Sequence, residues 1–260
     1  MLPPAFAGVE SHLWLLLVAA IRPGAAFFAA PLFGQTSVPV QVRFVIAVAI
    51  GMAGYAAAPF QLPADGVASF SGIGLIFGEV MAGLALGFAV QIGFSAAMLA
   101  GETISNAMGL GFAAMIDPAT GTSTPALATL LSMLGSFMFL SIGGHLTLAT
   151  IIVDSYRSLP VGGPALGNDS IHGLILFGGD MIAAGFAIAL PVGFALILVQ
   201  IVMGILARSA PAMNLFSVGL PATLLAGLIL LAIAAPSIGE GITNAIQRGL
   251  DEAHAIARGH

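Results

Sequence analysis

Ala100–Gly121 reads AGETISNAMGLGFAAMIDPATG. This stretch mixes an acid, an amide, several glycines and an Asp-Pro step inside a chain otherwise apolar enough to live in a membrane. A helix facing lipid avoids that mixture, because broken backbone and polar groups at membrane depth are tolerated only where protein or a water-filled path surrounds them. The stretch therefore reads as the lining or closure of a conduit. Gly109 and Gly111 interrupt helical regularity, and Asp117-Pro118 prevents the helix from simply continuing. Leu110, Phe112, Met115 and Ile116 remain as apolar bulk, and Met108 and Met115 are side chains that repack easily around different neighbours. The competing reading is an ordinary tight turn between two helices.

Composition supports the membrane setting. The mean hydropathy is +1.09 and only 7% of residues are charged, against about 25% in a typical soluble domain. There is no lysine, and Arg22, Arg43, Arg157, Arg208, Arg248 and Arg258 carry the only fixed positive charges. The net charge of −5 reflects this shortage of basic residues. Nucleic acid as a partner requires clustered basic side chains and is excluded. Cysteine is absent, so neither thiol chemistry nor disulfides contribute. Glu10 and His12 precede the first apolar run and no basic region opens it, so the first helix is expected to be retained rather than cleaved.

Six apolar runs set the organisation: Leu13–Phe33, Phe44–Phe60, Leu75–Leu99, Leu127–Val153, Leu174–Ala207 and Leu215–Ala235. A span needs about 20 apolar residues, so six spans is the simple count. The connections between them are short, and the whole chain, 1–260, reads as one all-α domain of long, kinked helices and helical hairpins. Pro125–Val153 and His172–Arg208 are too long for one tidy crossing, since about 37 residues of helix reach roughly 55 Å. Either they tilt and project beyond the bilayer or they break, and Pro191 marks a place for a kink. Thr124-Pro125 has the form of a helix cap and first turn. Gly74/Gly78 and Gly83/Gly87 have the spacing that lets helices approach closely in lipid. Ile238, Ile242, Ile246 and Leu250 recur every four residues, so 238–258 reads as an amphipathic helix resting on an interface or a partner. The arginines are too few to fix orientation.

The intramembrane polar residues have two readings each. Glu79 and Glu102 are either an ion or proton relay, or carboxylates that cap backbone or pair with an arginine of the same assembly. The second is preferred, with a partner chain as a source of the cation. Asp180 after Gly178-Gly179 reads as a helix start. His145, after Gly143-Gly144, reads as a hydrogen-bonded structural residue at a bend, and Arg208 as a further member of the polar packing set. Gln91 and Gln200 read as interhelical hydrogen-bond partners, each worth about 1 kcal/mol. The histidines show no metal-ligand spacing, and no catalytic or nucleotide-binding motif is present. No cofactor, metal or catalytic residue is expected.

Taken in order, the residues resemble one family nearly end to end. Arg22, Pro31-Leu32-Phe33, Pro39 and Arg43 come first. Gly78-Glu79, Gly83, Gly87, Ala100-Gly101-Glu102, Ile104, Gly109, Phe112, Ala113, Asp117-Pro118 and Gly121 follow. Phe139-Leu140, Gly144-His145, Leu159-Pro160 and Gly162 come next, then Pro191, Gly204-Ile205-Leu206-Ala207-Arg208, Pro211, Phe216, Gly219 and Pro221. This ordered set is similar to the FliR family, the flagellar type III secretion export-gate subunits with virulence-system counterparts. The resemblance implies a non-enzymatic subunit in which a FliP-like part is joined to a FliQ-like part. It implies assembly with FliP-type and FliQ-type subunits, association with FlhB-type and FlhA-type proteins, and passage of unfolded secretion substrates. It places the chain in the bacterial inner membrane at the flagellar basal body, in contact with lipid and raised above the bilayer plane in the assembled gate. The plug would then be Gly109, Leu110, Gly111, Phe112, Met115, Ile116, Asp117 and Pro118. An injectisome gate subunit, a secondary transporter and a purely structural assembly subunit stay open as alternatives. A transporter would carry inverted-repeat symmetry, and no repeat is visible.

Overall fold

The computed structural model describes residues 7–34, 38–110, 126–163, 166–209 and 219–259. Among the described residues all regular structure is helical. The helices are α1 (Ala7–Ala29), α2 (Val40–Ala57), α3 (Phe70–Ala107), α4 (Ala126–Ser141), α5 (Gly144–Ser158), α6 (Asn168–Ser209) and α7 (Leu220–Ala257). Five of these are each long and apolar enough to cross a membrane, and α4 with α5 makes a sixth candidate bent by 65°. The chain is an all-α polytopic membrane protein.

The lengths expected from the sequence divide two ways. The fourth apolar run breaks: Gly143, at φ 72°, occupies the left-handed region between α4 and α5, which glycine enters without a Cβ penalty. The fifth run does not break. Helix α6 continues for 42 residues through Pro191, about 63 Å at 1.5 Å per residue. Two expectations are corrected here. Asp180 is exposed inside α6 rather than at a helix start, a place held by Asn168 with Asp169 in the first turn. The amphipathic 238–258 segment is not a separate helix, because α7 runs for 38 residues through Pro236 and joins it to the sixth apolar run. Its stripe of Ile238, Ile242, Ile246 and Leu250 is buried inside the chain itself. Thr124-Pro125 lies outside the described residues.

The chain divides into two compact units. The first comprises Met1–Gly93, Phe139–Gly178 and Gln247–His260. Its helices meet through glycines. A Cβ at Gly83 would stand 2.2 Å from the Arg22 carbonyl oxygen, and one at Gly87 would stand 2.3 Å from that of Ala26. Both distances are far inside van der Waals contact, so α1 lies directly on the backbone of α3. Lipid supplies no hydrophobic drive between helices, and such close approach lets dispersion hold them instead. Gly51 of α2 meets the Ala19 carbonyl in the same way, and Gly54 lies under the Tyr156 ring. At the end of α7, Gly249 rests on Ala89 and Gly93 of α3, and the Ser158 hydroxyl donates to the Ala257 carbonyl. The other expected glycine pair behaves differently, since a Cβ at Gly74 or Gly78 would meet nothing within 4 Å. Pro31-Leu32-Phe33 forms a tight turn in this unit. Leu32 has φ 70° and the Phe33 N–H donates to the Pro31 carbonyl at 2.9 Å, a strained γ-turn.

The second unit comprises Phe94–Met138 and Gly179–Ile246. Here Gly101 of α3 approaches the backbone of Ala128 on α4, Gly185 of α6 meets Leu99 of α3, and Gly241 of α7 meets Ile188 of α6. Outward-facing Phe186, Leu190, Phe194, Ile197, Ile201 and Ile205 leave one side of α6 apolar and exposed, as a lipid-facing or partner-facing helix requires.

Candidate functional site

The charged centre of the first unit is built by α1, α3 and α5. Arg22 interrupts the apolar sequence of α1 and is 1% exposed, and Glu79 of α3 is 2% exposed. The two meet in a bidentate pair: Nε donates to Glu79 Oε2 at 2.9 Å and Nη2 to Oε1 at 2.8 Å. The same guanidinium donates from Nη1 to Ser155 Oγ at 2.9 Å and from Nη2 to the Leu159 carbonyl at 2.8 Å. Four of its five N–H groups are thus directed to named acceptors. The Ser155 hydroxyl in turn donates to the Ile152 carbonyl at 2.7 Å. The Tyr156 ring lies 4.3 Å from the Arg22 Cζ, within cation–π range. Its hydroxyl donates to the Ala19 carbonyl at 2.7 Å.

Each position follows from local structure. Ser155 and Tyr156 fall in the last turn of α5, where its C-terminal carbonyls begin to lack helical partners, and Leu159 is the residue that caps it. Arg22 takes up that cap, and a cation suits the negative end of the helix dipole. Gly54 leaves the space that the Tyr156 ring fills. A guanidinium does not release its proton, so the assembly suits a lock between three helices rather than a relay. A cavity of about 450 Å³ adjoins the pair, lined by Gln61, Ser71, Gly74, Gly78, Leu159 and Gly162 among others. The open face of Gly74 and Gly78 is a wall of this cavity, not a helix contact.

The expectation that another subunit supplies the partner of Glu79 is therefore corrected: Arg22 of the same chain supplies it. The cue was available, since Arg22 is a lone charge within an apolar run, and a buried charge requires a partner. The remaining polar residues are dispersed. Glu102 is half-buried on α3. His145, the second residue of α5, has a buried Nδ1 with no hydrogen-bond partner among the described residues, so the hydrogen-bonded role expected for it is not seen on that atom. Arg208 is exposed in the last turn of α6 instead of joining a buried polar set. Among the described residues no group of three or more His, Cys, Asp and Glu could hold a metal ion.

Of the expected plug residues, Gly109 and Leu110 are described, and Gly111, Phe112, Met115, Ile116, Asp117 and Pro118 lie outside the described residues. The end of α3 is not loosened at Gly109 but stopped there. Gly109 has φ 81°. Its N–H donates to the Asn106 carbonyl at 3.0 Å, and the Leu110 N–H donates to that of Ser105 at 3.1 Å. These two bonds around a left-handed glycine are the Schellman termination. Gln200 of α6 donates to the Ala107 carbonyl at 2.7 Å, which is the interhelical bond its sequence setting suggested. Gly227 and Thr223 of α7 also reach this end, and neither was foreseen.

Comparison with known proteins finds one family. The family model described as bacterial export proteins, family 1, matches residues 13–249. The flagellar biosynthetic protein FliR of Escherichia coli (strain K12) is 36% identical over 229 residues, covering 87% of this chain and 85% of that protein. FliR of Pectobacterium carotovorum subsp. carotovorum is 31% identical, with 84% and 83% covered. FliR of Bacillus subtilis (strain 168) is 30% identical, with 84% of each covered. The matched span contains both the Arg22–Glu79 lock and the end of α3, and on it the chain belongs to the bacterial export proteins, family 1, the family of the flagellar biosynthetic protein FliR.

Proposed function

We propose that this chain is a non-enzymatic subunit of the flagellar type III export gate and that it lines and closes the protein-export conduit. Family membership makes it a multi-pass membrane component of the flagellar export apparatus. The closure role rests on one observation: α3 stops abruptly at Gly109, and the residues that follow, Leu110 to Ile116, are apolar apart from glycine. Apolar side chains exclude water and ions, and this run of apolar residues is the bulk that would close the conduit. The partners in this reading are FliP-type and FliQ-type gate subunits, FlhB-type and FlhA-type export proteins, and the substrates in transit. The setting is the bacterial inner membrane at the flagellar basal body.

Deletion of Leu110–Ala114 tests it in the complex assembled with its partners. The expected result is normal assembly with a large rise in ion conductance, because the excluded volume is lost while the packed helices remain. A complex that assembles normally with unchanged conductance would reduce the segment to a turn.

A further inference from the structure

A second cavity lies in the first unit, apart from the charged centre. It encloses about 550 Å³, within the roughly 300–1,000 Å³ of small-molecule sites. Three helices line it, with Leu17 and Ile21 from α1, Phe44 from α2, and Ile76 and Val80 from α3. Among the described lining residues, Arg43 is the one charged side chain. Trp14, Leu17, Phe28 and Phe44 are exposed, so the cavity is a groove open to the outside of the chain.

Helix contacts fix where its ends lie. Gly24 of α1 faces Ala47 of α2, and Gly51 approaches Ala19, so these helices are antiparallel and Arg43 lies at the Phe28 end of α1. Gly83 and Gly87 of α3 meet Arg22 and Ala26 in the same order, so α3 runs parallel to α1 and Ile76 lies toward Trp14. The groove therefore runs from Arg43 and Phe28 to Trp14. Trp14 and Phe28 stand about 21 Å apart along α1. One bilayer leaflet, tail and headgroup together, is roughly 20–23 Å deep. The groove has the length of one phospholipid.

Its charge is matched as well. Arg43 donates from Nε and Nη2 to the Val38 carbonyl at 3.1 and 2.9 Å, which holds the guanidinium at the start of α2. A guanidinium keeps its proton in any setting. The first turn of α2 contains no acid, and the helix dipole is positive there. Two positive features at one end of an apolar groove complement an anion joined to hydrocarbon.

We propose that this groove binds one anionic phospholipid, with a tail laid along α1 between Phe44 and Val80 and the phosphate at Arg43. A zwitterionic phospholipid fits the same hydrocarbon slot, but its own cation offsets the attraction.

The test uses the membrane complex containing this chain, purified in detergent and supplied with phosphatidylglycerol that carries a photoreactive diazirine on its tail. Crosslinks, mapped by mass spectrometry, should fall on Leu17, Ile21, Phe44 and Val80. Unlabelled phosphatidylglycerol should suppress them about fivefold more effectively than unlabelled phosphatidylcholine, the equilibrium effect of one arginine near an anionic surface. Arg43→Gln should lower crosslinking about fivefold, and Arg43→Lys should keep it within about twofold. Ile21→Trp fills the groove while leaving Arg43 in place, and it should abolish the crosslinks. Equal suppression by the two lipids would make the groove an ordinary lipid-facing surface and overturn the proposal, and that comparison needs no variant to fold. Crosslinking unchanged in Arg43→Gln overturns it too. Labelling of the exposed face of α6 without any in the groove would show that a protein partner covers the groove, and the proposal would fall.

Discussion

Removing the Glu79 carboxylate by Glu79→Ala tests whether the first unit is held by its ion pair. The change deletes both charge-assisted bonds from Arg22, those of 2.9 and 2.8 Å. Arg22 keeps Ser155 Oγ, the Leu159 carbonyl and the Tyr156 ring, but its charge stays buried without a counter-charge. Side chains 2% and 3% exposed receive little solvent screening. The expected loss is therefore that of breaking a buried pair, about 3–5 kcal/mol. That is a large part of the 5–15 kcal/mol that typically holds a folded domain. Replacing both partners with apolar side chains of similar volume, Arg22→Met with Glu79→Leu, removes the stranded charge and should recover most of the loss. Thermal unfolding of the detergent-solubilised complex, followed by circular dichroism, compares the single and double variants. A single variant within about 1 kcal/mol of the parent would refute the lock. A double variant as unstable as the single one would refute the coupling between Arg22 and Glu79.

Two further outcomes follow from the same contacts. Gly83→Ala should abolish stable purification, because its Cβ would meet α1 backbone, whereas Gly78→Ala should be neutral or stabilising by about 0.5–1 kcal/mol; equal yields and melting temperatures for the two would show that the α1–α3 approach is not limiting. Glu102→Gln should retain export, since a half-buried side chain that caps or pairs keeps its shape and hydrogen bonding as an amide; motility lost at normal assembly levels would make Glu102 a proton relay.

The sequence exposed what is local. Gly83 and Gly87 announced a close helix contact by spacing, and Gly143-Gly144 announced a bend, because each depends on backbone within a turn or two. It did not distinguish Gly74/Gly78 from Gly83/Gly87. The spacing is the same, and only the packing of α1 decides which face is covered. Nor did it join Arg22 to Glu79, which lie 57 residues apart and carry no periodic signal linking them. The end of α3 was read in part: Gly109 was recognised as a break, but the sequence did not show that it terminates the helix, nor that Gln200 and Gly227, remote in sequence, meet it there. The amphipathic tail was recognised by its stripe, yet its role was misassigned, because a buried stripe looks the same whether its cover comes from another subunit or from the same chain. Helix α7 runs through Pro236, a helix held by packing on both sides of a proline being able to absorb one lost bond.

The Arg22 network also has a timetable. Ribosomes add about 5–20 residues per second, and the Leu159 carbonyl is made 137 residues after Arg22, a delay of roughly 7–27 s. Glu79 appears 57 residues after Arg22, roughly 3–11 s into that interval. Until then α1 holds an uncompensated guanidinium, and a central arginine disfavours insertion by about 2.5–3.5 kcal/mol. Helix α1 thus settles only once α3 and α5 have been made, and its residence near the insertion machinery should lengthen when synthesis of α3 is slowed.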